Sequence, residues 1–298
     1  MKQITRFGPL LLILAGIFWG SMGLFVRALQ KYGFTSIQIT SVRLTLSAVV
    51  FLMILRFRGP GGLRIRRSDI PLFLGLGFAS VLFFTICYFT AITIMPLSTA
   101  AILLYTSPIW VMLMSVLFFR EKLSGRKLLA LALAFSGCVL VSGVTGGGLT
   151  VYGLLIGLGA GFGYGLYSIL GTVALRRYSP YTVTAWTFLI AGIGSWFLCH
   201  PSDLFAKAAV APSTVWLLFL FLLSTLVTSV IPYLCYTLGL KTVEASRAAI
   251  LATIEPLVAT LFGILIFRES PTLLSALGIL LILAAIVVLN LPGRKAGL

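Results

Sequence analysis

Six carboxylates, one histidine and four cysteines are all that this chain of 298 residues offers for acid–base, nucleophilic or metal chemistry. An enzyme buried in a membrane needs a nucleophile beside a base, paired aspartates or a ligand cluster. His200, Asp69 and Asp203 instead fall near the edges of apolar runs, and Cys87, Cys138, Cys199 and Cys235 stand singly without metal-ligand spacing. The cysteines read as small packing residues. The run GLGAGFGYG at 157–165 lacks the GxGxxG spacing and sits inside an apolar stretch rather than after a strand, so it is not a nucleotide loop. Neither catalysis, nor a metal, nor a cofactor, nor ATP hydrolysis is expected.

What remains is chemistry of recognition. Trp19, Tyr88, Tyr105, Tyr164, Tyr167, Tyr233 and Tyr236 fall deep within apolar runs, whereas Trp and Tyr of membrane proteins collect at the interfaces. A buried hydroxyl or indole N–H needs a partner that lipid cannot supply. These groups either bond between helices or line a wet central cavity. Two charges are also deep: Arg43, about eight residues or ~12 Å of helix rise from the start of its run, and Glu255, about halfway along its own. A charge at the bilayer centre costs at least about 2.5 kcal/mol on insertion scales and is usually paired or functional. Arg43 reads as structural. Glu244 and Arg247 read as a helix-start pair. Glu255 is either a protonated carboxyl bonding the turn that Pro256 breaks or a site for proton coupling or a substrate amine. Pro108 and Pro256 are the expected kinks for gating.

The frame that must hold these side chains is written twice. Residues 98–121 (STAAILLYTSPIWVMLMSVLFFRE) and 246–269 (SRAAILATIEPLVATLFGILIFRE) align without a gap and agree at 11 of 24 positions, including Pro108 with Pro256 and the Phe-Arg-Glu endings. The offset of 148 residues is half the chain. Apolar residues make up 60% and charged ones 9%, far from the roughly 25% charged of a soluble domain, and runs of about 20 residues match a hydrocarbon layer about 30 Å thick. Alternating ten-residue segments, the mark of a membrane barrel, are not seen. Ten spans follow, at 7–29, 35–55, 70–92, 97–119, 127–144, 151–175, 181–199, 213–238, 245–267 and 272–291.

The formal charge of +16 is explained by topology without nucleic acid. With both termini cytoplasmic, 16 cations of the loops and ends lie inside and only Arg27, Lys31, Lys207 and Arg268 outside, as the positive-inside rule requires. Five spans per half is odd, so the halves, 1–147 and 148–298, are inverted. Gly16-Ile17-Phe18-Trp19-Gly20 echoes Gly161-Phe162-Gly163-Tyr164-Gly165, and glycines four apart suit close helix packing. Inverted repeats are the architecture of many secondary transporters.

The duplication, Trp19-Gly20-Ser21, Val42-Arg43-Leu44, Ser107-Pro108, Glu255-Pro256 and the Arg-Glu endings resemble the drug/metabolite transporter superfamily, EamA family. The resemblance covers the whole chain. It implies an all-α membrane protein of ten transmembrane helices in two inverted five-helix repeats. It also implies a substrate cavity among spans one, three, four, six, eight and nine, and export of amino acids or related metabolites, with YddG-type aromatic amino-acid exporters among the relatives. A drug or other metabolite is the alternative cargo, and a channel or structural membrane protein the alternative class. The expected setting is a bacterial inner membrane, the partners a small-molecule substrate and the bilayer, and the working unit a monomer, with a dimer as the alternative.

Overall fold

The computed structural model describes residues 2–58, 62–142, 150–268, 270 and 272–291, with backbone only for 2–6 and 58. The expected boundary of the halves at 147 and 148, Glu269, Arg294, Lys295 and the side chains of Lys2, Arg6 and Arg58 lie outside the described residues. Among the described residues all regular structure is helical. Nine spans are long and apolar enough to cross a membrane: Phe7–Gln30, Ser36–Phe57, Arg67–Ile94, Leu97–Phe119, Gly125–Ser142, Val151–Leu175, Thr214–Leu240, Ala245–Phe267 and Leu273–Asn290. The seventh, expected over 181–199, is a shorter helix, Pro180–Ser195. Its end is unwound by Ser195, whose hydroxyl donates to the Gly192 carbonyl at 2.7 Å, and by Trp196 and Phe197, whose amides reach back only three residues. A short helix, Pro201–Ala209, then covers that end before span eight. Nothing in the sequence reading anticipated it.

Spans four and nine are each broken where the repeat aligns them. Pro108 and Pro256 have no N–H to give the carbonyls of Leu104 and Ala252. Span four therefore divides into Leu97–Leu104 and Ser107–Phe119, and span nine into Ala245–Ala252 and Ile254–Phe267. A threonine closes each broken turn. Thr106 amide and hydroxyl both bond Leu103 O, at 3.2 and 2.6 Å, and those of Thr253 bond Ile250 O at 3.1 and 2.6 Å. The far ends match as well. Arg120 (φ 53°) and Arg268 (φ 56°) both take the left-handed cap conformation, a position usually given to glycine because a side chain costs about 1–2 kcal/mol there. The Arg of the repeated Arg-Glu ending is thus a helix stop in both copies.

The halves interlock by exchanging equivalent parts. Span five lies along span ten, span two along span seven, span one against spans eight and nine, and span six against spans three and four. At the crossing of five and ten, a Cβ on Gly137 would stand 2.7 Å from Gly278 O, and one on Gly278 would stand 2.7 Å from Gly137 O. Spans three and eight both contain wide π-helical turns, at Gly75–Leu82 and Leu226–Val230. The repeated motifs touch head to tail: the hydroxyl of Ser246, which opens the second copy, bonds Glu121, which closes the first. That contact is possible only if the two copies run antiparallel, so the repeat is inverted.

Candidate functional site

Each half brings one aromatic residue to the centre by the same device. Gly16 and Gly20 on span one lie against the broken turn of span nine, so close that a Cβ would meet Ala252 O at 2.8 Å and Glu255 O at 2.7 Å. Gly161 and Gly165 on span six do the same against span four, at 2.7 Å from Leu103 O and 3.1 Å from Ser107 O. The two carbonyls that proline leaves free, Ala252 O at 2.8 Å from a Cβ on Gly16 and Leu104 O at 3.2 Å from one on Gly161, therefore face glycine backbone rather than lipid, and the stripes are packing faces. One residue before Gly20 and Gly165 stand Trp19 and Tyr164, and both turn inward. Their rings meet edge to face with centroids 6.0 Å apart.

Around them lies a narrow central cavity of about 20 Å³. Trp19, Tyr164, Tyr167, Tyr233 and Tyr236 form its aromatic wall, with Ser80, Phe84, Ser107, Ser168 and the small Ala249 and Ala252 completing it. Trp19 is 5% exposed and packs edge-on to Tyr233 at 5.2 Å. Such aromatic pairs add about 0.5–1.5 kcal/mol each beyond the area they bury. The cavity is narrow enough that a solute of amino-acid size enters only if the halves move apart.

Two of the hydroxyls are committed to helix–helix contacts. Tyr167 shares a bond of 2.7 Å with Thr237, and Tyr236 one of 2.7 Å with Ser168, both joining span six to span eight. The third joins span six to span nine within the second half. Tyr164 donates to Glu255 Oε2 at 3.0 Å. Glu255 is thereby oriented by a phenol, rather than by the turn that Pro256 breaks, and an acceptor carboxylate in a low-dielectric site holds such a donor strongly.

The other expected residues fall outside the wall. Tyr88 stacks on Phe84 at 5.9 Å and packs beside Ile156. Tyr105 packs against Cys138, Leu257 and Ile282 near span ten. Both lie within electrostatic reach of Glu255. The expected pair of Glu244 with Arg247 is not formed. Glu244 bonds Lys127 at 2.6 Å and Arg247 bonds Asn290 at 2.8 Å, because the helix start at Ala245 turns the two side chains toward different neighbours. Ser80, Ser107 and Ser168 were not foreseen as lining. Of these only Ser107 carried a signal, as the residue aligned with Glu255.

Arg43 is held in part only. Its Nη1 donates to Thr228 Oγ1 at 3.3 Å, inside the π-helical turn of span eight, and approaches Met22 Sδ at 3.1 Å. Its Nε is buried without a partner. At the two ends of the bundle the ionic contacts differ. Lys127, 8% exposed, bonds Glu121 at 3.2 Å as well as Glu244. At the opposite end Asp203 accepts from Gln38 at 2.7 Å and from Lys207 at 2.8 Å.

Comparison with known proteins agrees with this architecture. The family model described as the EamA-like transporter family matches residues 6–143 and, a second time, 151–291. An "Uncharacterized transporter" of Archaeoglobus fulgidus is 32% identical over 289 residues, 96% of this chain and 97% of that protein. The "Uncharacterized inner membrane transporter YicL" of Salmonella typhimurium is 24% identical over 299 residues, 98% of this chain and 97% of that one. A crystal structure superposes with a TM-score of 0.78 at 19% identity over 95% of this chain and 96% of its own, a likeness of fold.

Proposed function

Because the chain belongs to the EamA-like transporter family, we propose that it exports amino acids by alternating access, the two inverted halves rocking about the central cavity. The observation that carries this reading is the Trp19–Tyr164 contact. It joins span one of the first half to span six of the second at the cavity wall, where relative motion of the halves must alter it. Few fixed charges and an aromatic wall suit a small zwitterion better than a strongly anionic metabolite. Glu255 then serves as the acceptor for a substrate amine or for an exchanged proton. The working unit is a monomer in a bacterial inner membrane, a setting that the name of the Salmonella relative supports. Both termini and the cation-rich loops face the cytoplasm, in keeping with the excess of Lys and Arg on that side.

Purified protein in liposomes, loaded with a panel of labelled amino acids and with cationic drugs, tests the proposal. Saturable counterflow of at least one amino acid, lost in Trp19→Ala while the protein remains abundant and monodisperse, is the expected result. Flux of the drugs alone would replace the amino-acid reading with drug export. Equal leakage of every solute without saturation would replace it with a channel.

A further inference from the structure

Beyond the amine-facing carboxylate, we infer that Arg43 forms a second subsite of the cavity, one that takes the carboxylate of the transported solute through its guanidinium fork. The inference rests on the export reading above and gives the cargo a specific chemistry, a free carboxylate carried on the same small molecule as an amine.

The geometry argues against a purely structural role for Arg43. A guanidinium has five N–H donors in a fixed plane. Here Nη1 meets only a hydroxyl at 3.3 Å and a thioether, and Nε is buried with no acceptor. Among the described residues no carboxylate lies within ion-pair distance of it. A buried cation left without an anion is among the costlier features a fold can carry, and a structural arginine would be expected to have one. No carboxylate among the described residues satisfies it, and that of a bound solute would do so bidentately, with Nε and an Nη in the parallel geometry of such pairs.

Its surroundings connect it to the cavity. Thr228 belongs to the π-helical turn Leu226–Val230, a distortion frequently found at functional sites, and the same span continues to Tyr233, whose ring lines the cavity. Tyr233 lies within electrostatic reach of both Arg43 and Glu255. This tyrosine therefore stands near both a cation and an acid. A solute carrying both charges and lying across Tyr233 meets complementary charge at each end, whereas a simple amine leaves Arg43 bare and a simple acid leaves Glu255 bare. Because unpaired buried groups penalise the wrong ligand strongly, the arrangement selects zwitterions.

The test uses the full-length protein in liposomes. Counterflow is measured for the amino acid that the wild type carries fastest, for its methyl ester and for its decarboxylated amine. The wild type should prefer the free amino acid over ester and amine by about 10- to 100-fold in half-saturation concentration. Arg43→Gln should erase that preference while leaving the ester's value within about twofold. Arg43→Lys, which keeps the charge for folding but loses the fork, should lie between, and it serves alone if the Gln variant does not accumulate. Preference for the free acid that stays at its wild-type size in Arg43→Gln, or in Arg43→Lys where that variant serves alone, overturns the subsite. Should the wild type carry carboxylates without amines, the amino-acid reading fails while the subsite is judged by the same Arg43 comparison. Should it carry only carboxylate-free cations, both fail.

Discussion

Spans four and nine have the same backbone and opposite chemistry. Each enters as a short helix, breaks at a proline, closes the gap with a threonine and ends on an arginine in the left-handed conformation. Each receives a pair of glycines from a span of the other half. Yet the residue before the proline is Ser107 in one and Glu255 in the other, and the aromatic residue opposite is Tyr164 in one and Trp19 in the other. Duplication accounts for the shared features, which hold the bundle together. It does not account for these differences, which lie at or beside the cavity wall. The difference teaches where to look for specificity: at positions where the repeat agrees in backbone and disagrees in side chain.

If the shared frame is what stability depends on, the largest effect should come from the contact that joins the two copies. Lys127 sits between Glu121 of the first copy and Glu244 beside the second, and Glu121 also accepts from Ser246. Lys127→Met leaves Glu121, whose side chain is 10% exposed, without its cation. Removing one partner of such a pair costs about 3–5 kcal/mol. The expected outcome is a large drop in the melting temperature of detergent-solubilised protein, followed by scanning fluorimetry. An unchanged melting temperature would show that the two copies are held together elsewhere.

The next effect separates the copies functionally. Glu255→Gln keeps the shape but not the charge that accepts from Tyr164, and hydrogen bonds to a charged group contribute about 1.5–3 kcal/mol. Flux should fall about 10- to 100-fold with little change in abundance, and its response to an imposed pH gradient should vanish. Ser107→Ala, at the aligned position, should change flux less than about threefold. Equal losses at the two positions would mean that the wall is symmetric in function, and the asymmetry argument would fall.

The same comparison can be sharpened within the frame. A Cβ on Gly20 meets Glu255 O and Val258 Cβ at 2.7 Å each, while one on Gly165 meets Val111 Cγ2 at 3.0 Å and Ser107 O at 3.1 Å. Backbone cannot yield as a side chain can, so Gly20→Ala should destabilise by about 1–3 kcal/mol and Gly165→Ala by less. Thermal unfolding of the two variants side by side decides it, and the reverse order would show that span nine is the more yielding of the pair.

How far these features could be read in advance depended on whether they repeat. The alignment of 98–121 with 246–269 already held the two prolines and the Arg-Glu endings and set Glu255 against Ser107. The fainter echo of 16–20 in 161–165 set Trp19 against Tyr164, and the odd number of spans per half with the charge bias gave the inverted arrangement. What it could not contain was rotation about each helix axis. Spans that are apolar all round carry no stripe to show which face turns inward, so Tyr88 and Tyr105 looked equivalent to Tyr233 and Tyr236. The hydroxyl bonds from Tyr167 to Thr237 and from Ser168 to Tyr236 link residues 70 and 68 apart. No local pattern announces such links. Arg43 was read as structural because the resembled family often carries an arginine there, and only its incomplete set of partners changes that reading. Span seven lost its last turn to Gly192, Gly194 and Ser195, small residues whose effect on a helix end depends on what packs beside them.

The smallest effect belongs to the other end of the bundle, where the ionic contact is open to water. Asp203 accepts from Lys207, four residues on in the short helix Pro201–Ala209, and from Gln38 at the start of span two, so that it ties one half to the other across 165 residues. The Lys207 ammonium, and after it the Gln38 amide, hold its carboxyl below the ordinary value of 3.8. A carboxylate with a lowered value in the folded state stabilises that state at pH values above its unfolded value, and the contribution is lost as pH falls through the folded one. The wild type and Asp203→Asn should therefore differ in melting temperature by a constant small amount between pH 5 and 8, and the gap should close below about pH 4. With the Asp203 side chain 52% exposed, the gap should also shrink in molar salt, where exposed pairs are screened within about 3 Å. The buried Lys127 contact should show no such salt dependence. A gap at Asp203 that survives both acid and salt would mean that Gln38 acts there as a neutral hydrogen-bond partner, and that the two ends of the molecule are locked by different kinds of bond.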